Sequence, residues 1–411
     1  MENQDLKFVI VGHVDHGKST LIGRLLYDTN SLPPDKMAEI KKSSEELGRV
    51  TEFAFLMDHL QEEREQGITI DTAQAFFKTA KRQYVIIDAP GHSEFVKNML
   101  TGASQAQAAI LIVDAKEGVR EQTKRHSYLL SLLGIKQVIV VVNKMDLVDY
   151  QEQVFAKIKS ELDIFLGNLQ IKPNFYIPIV ALKGDNVALA SENMPWYLGA
   201  TVLFALDSLR EEVGEAGQAL VLPVQEIYKI GDKRYVLGRV EAGELKSGQK
   251  IKVLPSGQET IIKTIEKFLQ ENLLSAQAGE NIALTTQDPL FIERGNVICE
   301  TGKEPSLKSE FAATLFWLSQ ETLQKDEPLI IKCATQESAC QVSEIKNRFN
   351  SSTMEILEEN ASQLNFLEAA QINIKTKKPL ALSKFSEFSE LGKFVLLKND
   401  NIIAGGIVIE L

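Results

Sequence analysis

The 411-residue sequence predicts an α/β domain, a mostly parallel sheet with helices on both faces, followed by two small β-barrel domains. Three observations predict this. Short apolar, β-branched runs alternate with helix-period stretches over residues 1–213, which is how strands buried on both faces read. Near residue 214 the texture changes to short strands of alternating polarity with frequent turn formers. A second break at Gly302-Lys303-Glu304-Pro305 precedes another strand-rich stretch. The expected domains are 1–213, 214–305 and 306–411.

In the first domain, residues 7–11 read as a buried strand, and residues 17–27 as a helix with Leu21, Leu25 and Leu26 on one face. Further strands are expected at 84–87, 108–113, 138–142 and 175–180, and helices at 98–103, 121–133 and 153–166. Residues 211–217 read as a linker. The first barrel is expected from strands at 220–228, 234–240, 249–253, 260–265 and 281–285, separated by turns such as Gly231-Asp232 and Pro255-Ser256-Gly257. The second is expected from strands at 312–318, 329–333, 394–397 and 402–409.

Composition narrows the function classes. Lys+Arg is 45 and Asp+Glu 56, a net charge of −11. That balance argues against DNA wrapping, which needs a basic footprint. Cys299, Cys333 and Cys340 form no CxxC pair, so no zinc site or disulfide framework is expected. The polar, acidic start Met1-Glu2-Asn3-Gln4-Asp5 is unlike a signal peptide, and no apolar run reaches spanning length. A reduced, cytoplasmic protein with no membrane segment is expected.

Gly12-His13-Val14-Asp15-His16-Gly17-Lys18-Ser19 fits G-x-x-x-x-G-K-[ST] between a strand and a helix, the setting this phosphate-binding loop needs. Glycines let backbone N–H groups wrap a polyphosphate, and the helix N-terminus adds positive potential. Lys18 can neutralise the β- and γ-phosphates, Ser19 can ligate Mg²⁺, and Thr20 completes the first helical turn.

Asp88-Ala89-Pro90-Gly91 follows the strand at 84–87. A carboxylate at that strand end can hold Mg²⁺ directly or through water, and the Gly91 N–H can meet a γ-phosphate. His92 can orient an attacking water, or can merely serve the start of the next helix. The other histidines, His13, His16, His59 and His126, share no metal-ligand spacing and read as loop or surface residues. Asn143-Lys144-Met145-Asp146 ends the strand at 138–142. The Asp146 carboxylate there can accept from guanine N1–H and its exocyclic amine, an edge adenine lacks. Asn143 can tie this loop to the glycine-rich one, and the Lys144 stem can cover the base. Thr69, in Gly67-Ile68-Thr69-Ile70-Asp71, is the candidate switch threonine, its hydroxyl for Mg²⁺ and its N–H for the γ-phosphate.

Together these motifs, with Asn193-Met194-Pro195-Trp196-Tyr197, resemble the translation-factor class of GTP-binding proteins, and the resemblance spans the whole chain. It implies a P-loop G domain followed by two β-barrels, with GTP or GDP and Mg²⁺ as ligands. Within the class, the chain resembles the GTPase (large) subunit family of bacterial two-subunit ATP sulfurylase. The residues carrying this are Leu21-Ile22-Gly23-Arg24-Leu25-Leu26-Tyr27-Asp28, Glu63-Arg64-Glu65-Gln66-Gly67-Ile68-Thr69-Ile70-Asp71-Thr72 and Gly118-Val119-Arg120-Glu121-Gln122. Val253-Leu254-Pro255-Ser256-Gly257, Phe291-Ile292-Glu293-Arg294-Gly295-Asn296-Val297-Ile298 and Ile403-Ala404-Gly405-Gly406-Ile407-Val408 add to it from the barrels.

That resemblance implies GTP hydrolysis coupled to formation of adenosine 5′-phosphosulfate and pyrophosphate from ATP and sulfate. The adenylyl transfer would occur on a partner, the sulfate adenylyltransferase small (catalytic) subunit. Some members carry a fused kinase, and none is expected here because no second G-x-x-x-x-G-K-[ST] occurs. The alternative is an elongation-factor-like carrier of aminoacyl-tRNA. One departure stands out: the family usually has a serine before Ala-Leu in its last guanine-contacting loop, where this chain has Val180-Ala181-Leu182. The Ala181 N–H is still expected to meet guanine O6, with Leu182 beside it, but a bracing hydroxyl is lost.

Overall fold

The computed structural model describes residues 5–32, 74–87, 106–210, 218–231, 233–267 and 270–411. The chain forms two compact units that divide between Glu211 and Glu212.

The first unit is built on six strands: β1 (Leu6–Gly12), β2 (Gln74–Lys78), β3 (Gln83–Ile87), β4 (Ala108–Asp114), β5 (Gln137–Asn143) and β6 (Phe175–Pro178). Their order across the sheet is β2-β3-β1-β4-β5-β6. All neighbours run parallel except β2, which lies antiparallel to β3 at the edge. Among the described residues the helices are α1 (Lys18–Asp28), α2 (Glu121–Leu132), α3 (Glu152–Asn168) and α4 (Val202–Ser208).

Strand periodicity sorts the core. Leu6, Phe8 and Ile10 of β1, Ala108, Ile110 and Ile112 of β4, and Ile139 and Val141 of β5 share one cluster with Leu21, Leu25, Val202 and Leu206 of α1 and α4. The alternate residues Val9, Leu111 and Val140 are equally buried but lie outside that cluster, as side chains alternating across a sheet must. Helix α2 packs on β4 and β1. A sheet buried on both faces explains why its strands read as continuous apolar runs.

Among the described residues of this unit, two elements lie outside the sequence expectation. β2 is a short edge strand with Phe77 buried and Phe76 half exposed, and Phe77 stacks on Tyr84 at 4.7 Å. Helix α4 spans only seven residues; the Thr201 hydroxyl caps it, accepting from Phe204 N at 3.3 Å. Asp207 of α4 accepts from Tyr84 Oη at 2.5 Å and from Thr79 Oγ1 at 2.8 Å, fastening the helix to the β2–β3 hairpin. The helix expected at 98–103 and the linker at 211–217 lie outside the described residues.

The second unit contains two barrels. The strands of the first are β7 (Val221–Ile230), β8 (Lys233–Arg239), β9 (Glu244–Lys246), β10 (Lys250–Leu254), β11 (Gln258–Glu266), β12 (Ser275–Gln277), β13 (Asn281–Thr286) and β14 (Val297–Glu300). Six of them close in the order β10-β11-β13-β8-β7-β14, while β9 and β12 pair separately. Leu222, Val224, Val236, Ile251, Ile262 and Leu284 fill the interior.

The remaining strands are β15 (Ser306–Trp317), β16 (Leu323–Gln324), β17 (Leu329–Cys333), β18 (Gln336–Asn350), β19 (Ile356–Ala361), β20 (Gln363–Leu364), β21 (Glu368–Leu382), β22 (Lys393–Lys398) and β23 (Asn401–Glu410). Neighbours run β17-β22-β23-β15-β21-β18-β19, and a further β17–β18 pairing closes six of them into a ring with β19 outside it. The 15-residue β18 makes closure possible: residues 336–340 pair with β17 while 340–350 pair with β21. The two barrels meet at a small apolar seam of Val221, Ala242, Leu254, Val297, Cys299, Ala381 and Leu391. Beside it Glu241 lies 3.9 Å from Arg239, and Lys393 pairs with Glu390 at 2.5 Å.

Candidate functional site

The expected site residues that are described gather at the C-terminal ends of β1, β4 and β5, where open parallel sheets bind ligands. β1 ends at Gly12 and α1 opens at Lys18. A Cβ at Gly12 would fall 2.4 Å from the Ile112 carbonyl oxygen of β4. Gly17 is left-handed, φ +95°, and a Cβ there would fall 2.4 Å from Asn143 Nδ2. Both positions therefore demand glycine, one for close strand approach and one for the turn into the helix. Lys18 Nζ donates to Gly12 O and His13 O, each at 3.0 Å, which folds the ammonium back over its own loop. Val14 and Asp15 are exposed, while His13, Ser19 and Thr20 are half-buried around the start of α1. The leading amides of a helix lack intrahelical acceptors and carry the positive end of its dipole, so this loop attracts anions.

Asn143 joins three loops. Its Nδ2 donates to His16 O at 2.9 Å, and its Oδ1 accepts from Ala181 N at 3.0 Å. The residue is buried. The amide expected to face guanine O6 is thus engaged inside the protein, and the Val180-Ala181-Leu182 loop is braced by Asn143 rather than by a hydroxyl. Asp146 follows on a short 3-10 turn, Met145–Val148, and its carboxylate lies 3.4 Å from Lys183 Nζ. Lys183 also donates to Tyr150 Oη at 3.2 Å. A carboxylate beside one cation keeps its acceptor lone pairs, which is the donor-reading chemistry expected of it.

Sequence reasoning missed Asp114. This residue ends β4 in register with Asn143 at the end of β5. Its Oδ1 accepts from Lys116 N at 2.7 Å and Glu117 N at 3.1 Å, and its Oδ2 pairs with Lys144 Nζ at 2.8 Å. Burial would raise the Asp114 carboxyl, but the Lys144 ammonium and the two amides outweigh it and hold it below its ordinary value. The available signal was positional, a carboxylate at the end of the strand lying between β1 and β5.

The histidine expectation needs correction. His16 is fully buried and His126, in α2, nearly so, whereas both read as loop or surface residues in sequence. His16 Nδ1 sits 3.3 Å from both the Ile112 carbonyl oxygen and the Asp114 amide nitrogen. Nε2 faces Glu117 Oε2 at 3.5 Å. Burial dominates and lowers its pKa, so the ring packs neutral beneath the phosphate loop. Residues flanked by glycine and charge look exposed in sequence, yet this one plugs the gap between β1 and β4. His59 lies outside the described residues, as do Thr69, Asp88, Gly91 and His92.

Comparison with known proteins agrees with this geometry. The family Elongation factor Tu GTP binding domain matches residues 3–275, and GTP-eEF1A C-terminal domain-like matches residues 310–409. A protein named sulfate adenylyltransferase subunit 1 from Psychromonas ingrahamii is 41% identical over 99% of this chain and 87% of its own length. One named elongation factor 1-alpha from Methanoculleus marisnigri is 38% identical over 100% of this chain and 98% of its own. A crystal structure described as sup35 complexed with GMPPNP aligns with 99% of this chain and 94% of its own, at 22% identity and a TM-score of 0.47, too loose a likeness to bear on function. With a G-x-x-x-x-G-K-[ST] loop, an N-K-x-D motif and two matching domain families along its length, the chain belongs to the translation-factor class of GTPases, the family of the elongation factor Tu GTP-binding domain.

Proposed function

We propose that the chain is the GTP-hydrolysing subunit of a cytoplasmic sulfate adenylyltransferase. It couples GTP hydrolysis to formation of adenosine 5′-phosphosulfate and pyrophosphate from ATP and sulfate on a partner small subunit. The supporting observation is the 41% identity, over 99% of the chain, to a protein named as that subunit. The working domains under this reading are 1–213, which binds nucleotide, and 214–305 and 306–411, which relay its state to the partner.

The described residues fit a magnesium nucleoside triphosphate: a glycine-bounded loop that a Cβ would fill, an ammonium at its centre, and a hydroxyl on the first helical turn. Residues 12–20 cradle the phosphates. Lys18 would turn from the Gly12 and His13 carbonyls to the β- and γ-phosphates, and Ser19 would help hold Mg²⁺. Bound there, the ion would neutralise charge on the phosphate oxygens. Asp146 reads the guanine edge and Lys144 covers the ring. Ala181, whose amide Asn143 holds, and Leu182 complete the base-binding loop. From sequence alone, Thr69 and Asp88 would help hold Mg²⁺, Asp88 directly or through water, Thr69 and Gly91 would sense the γ-phosphate, and His92 would orient water.

A second reading, an elongation-factor-like carrier of aminoacyl-tRNA, has its own support in the 38% identity to elongation factor 1-alpha over the full chain. One experiment separates them. Pyrophosphate release from ATP plus sulfate is measured with the co-purifying small subunit, with and without GTP. GTP-stimulated, sulfate-dependent release is expected. Its absence, with GTP-dependent and salt-sensitive tRNA binding in its place, selects the carrier.

A further inference from the structure

We propose that Asp114 is a positioning residue for guanine-nucleotide binding: its buried carboxylate fixes the Lys144 side chain in its working place before the ligand arrives. The inference rests on the reading of residues 143–146 as the base-binding loop. Asp114 is suited to the task because its own side chain cannot move. One oxygen is spent on the amides of Lys116 and Glu117, at 2.7 and 3.1 Å, and the carboxylate is almost wholly screened from water. The other oxygen is left to the Lys144 ammonium at 2.8 Å. At its other end Lys144 is held by a left-handed backbone, φ 61°, ψ 39°, so the aliphatic stem is stretched between two fixed points.

A lysine covering a base otherwise surrenders its rotamer freedom on binding. An anchored stem has surrendered it in advance, which tightens the complex without a new contact to ligand. The same residue also touches the phosphate loop, since its amide nitrogen lies 3.3 Å from His16 Nδ1. Asp114 thus places the lysine relative to the loop that takes the phosphates. The stem faces the base rather than the γ-phosphate, so GDP and GTP should depend on it equally.

The test measures GDP and GTP affinity of the full chain by equilibrium titration for wild type, Asp114→Asn, Lys144→Met and the double variant. Asparagine keeps an oxygen for the two amides and turns a donor NH₂ toward Lys144 in place of the anionic acceptor that holds it. Asp114→Asn is expected to weaken both nucleotides by the same factor, on the order of tenfold. In the Lys144→Met background it should weaken them no further, and guanine preference and the turnover rate at saturating GTP should not change. Wild-type affinity in Asp114→Asn, or an equal loss with and without Lys144, overturns the proposal. A wild-type chain that binds neither nucleotide overturns the guanine reading itself. A second measurement needs no Asp114 variant: ¹⁵N NMR of the lysine ammonium groups in nucleotide-free protein should show one exchange-protected signal that Lys144→Met removes. If no protected signal depends on Lys144, the anchor does not exist.

Discussion

Asp146 and Asn143 sit three residues apart and perform different work. Asp146 presents a carboxylate as a double acceptor, so Asp146→Asn, which swaps one acceptor for a donor, should shift preference from GTP to xanthosine triphosphate. Competition binding checks this, and an unchanged preference refutes the base-reading role. Asn143 is buried and bridges His16 O to Ala181 N. Asn143→Ala strands a buried carbonyl and a buried amide together, a loss of about 2–4 kcal/mol. Urea unfolding of the first unit checks it, and a cost under about 0.5 kcal/mol would mean the bridge contributes little. Both residues were legible in sequence because N-K-x-D carries a chemistry at fixed spacing. Asp114 was not, because its partner Lys144 lies in another loop and only the β4–β5 register sets them side by side.

At the scale of elements, the barrel seam offers a pH-dependent prediction. Burial, aided by Glu390, pushes the Glu241 carboxyl from its ordinary 4.5 up to about 7, with Arg239 and Lys393 pulling the other way. Between those values the folded state holds a proton that the unfolded chain releases. The stability that this group contributes is therefore fully present below pH 4.5 and is lost as pH rises through about 7. Glu241→Gln mimics the neutral form and should flatten this profile, gaining on the order of 1–3 kcal/mol for the second unit at pH 8. Thermal melts at pH 5 and pH 8 check it, and equal slopes for both proteins would exclude Glu241 as the source. Element identity followed from period: continuous apolar strands in the parallel sheet, alternating ones in the barrels. The edge strand β2 and the long β18 and β21 escaped that logic. A five-residue edge buries one face only, β18 changes partner midway from β17 to β21, and a register shift interrupts the pairing of β21 with β15.

For the whole molecule, two units with separate cores predict that a ligand of one stabilises that one. The two tryptophans serve as reporters, Trp196 in the first unit and Trp317 in the second. GDP at 100 times its Kd should delay the urea transition seen at Trp196 by about 2.7 kcal/mol and leave that at Trp317 in place. Single Trp→Phe variants separate the signals. An equal shift at both positions would show the chain unfolding as one cooperative block.

The amino-acid sequence by itself determined the class of domains, the order of the motifs and the ligand chemistry, because periodicity and loop composition are local properties. Tertiary structure alone decided how the loops are tied. Asn143 reaches His16 across 127 positions, the Ala181 amide turns inward, His16 is buried beneath the phosphate loop, and β17–β18 pairing closes the second barrel. Each of these depends on which strand lies beside which and in what register, and no local pattern encodes that.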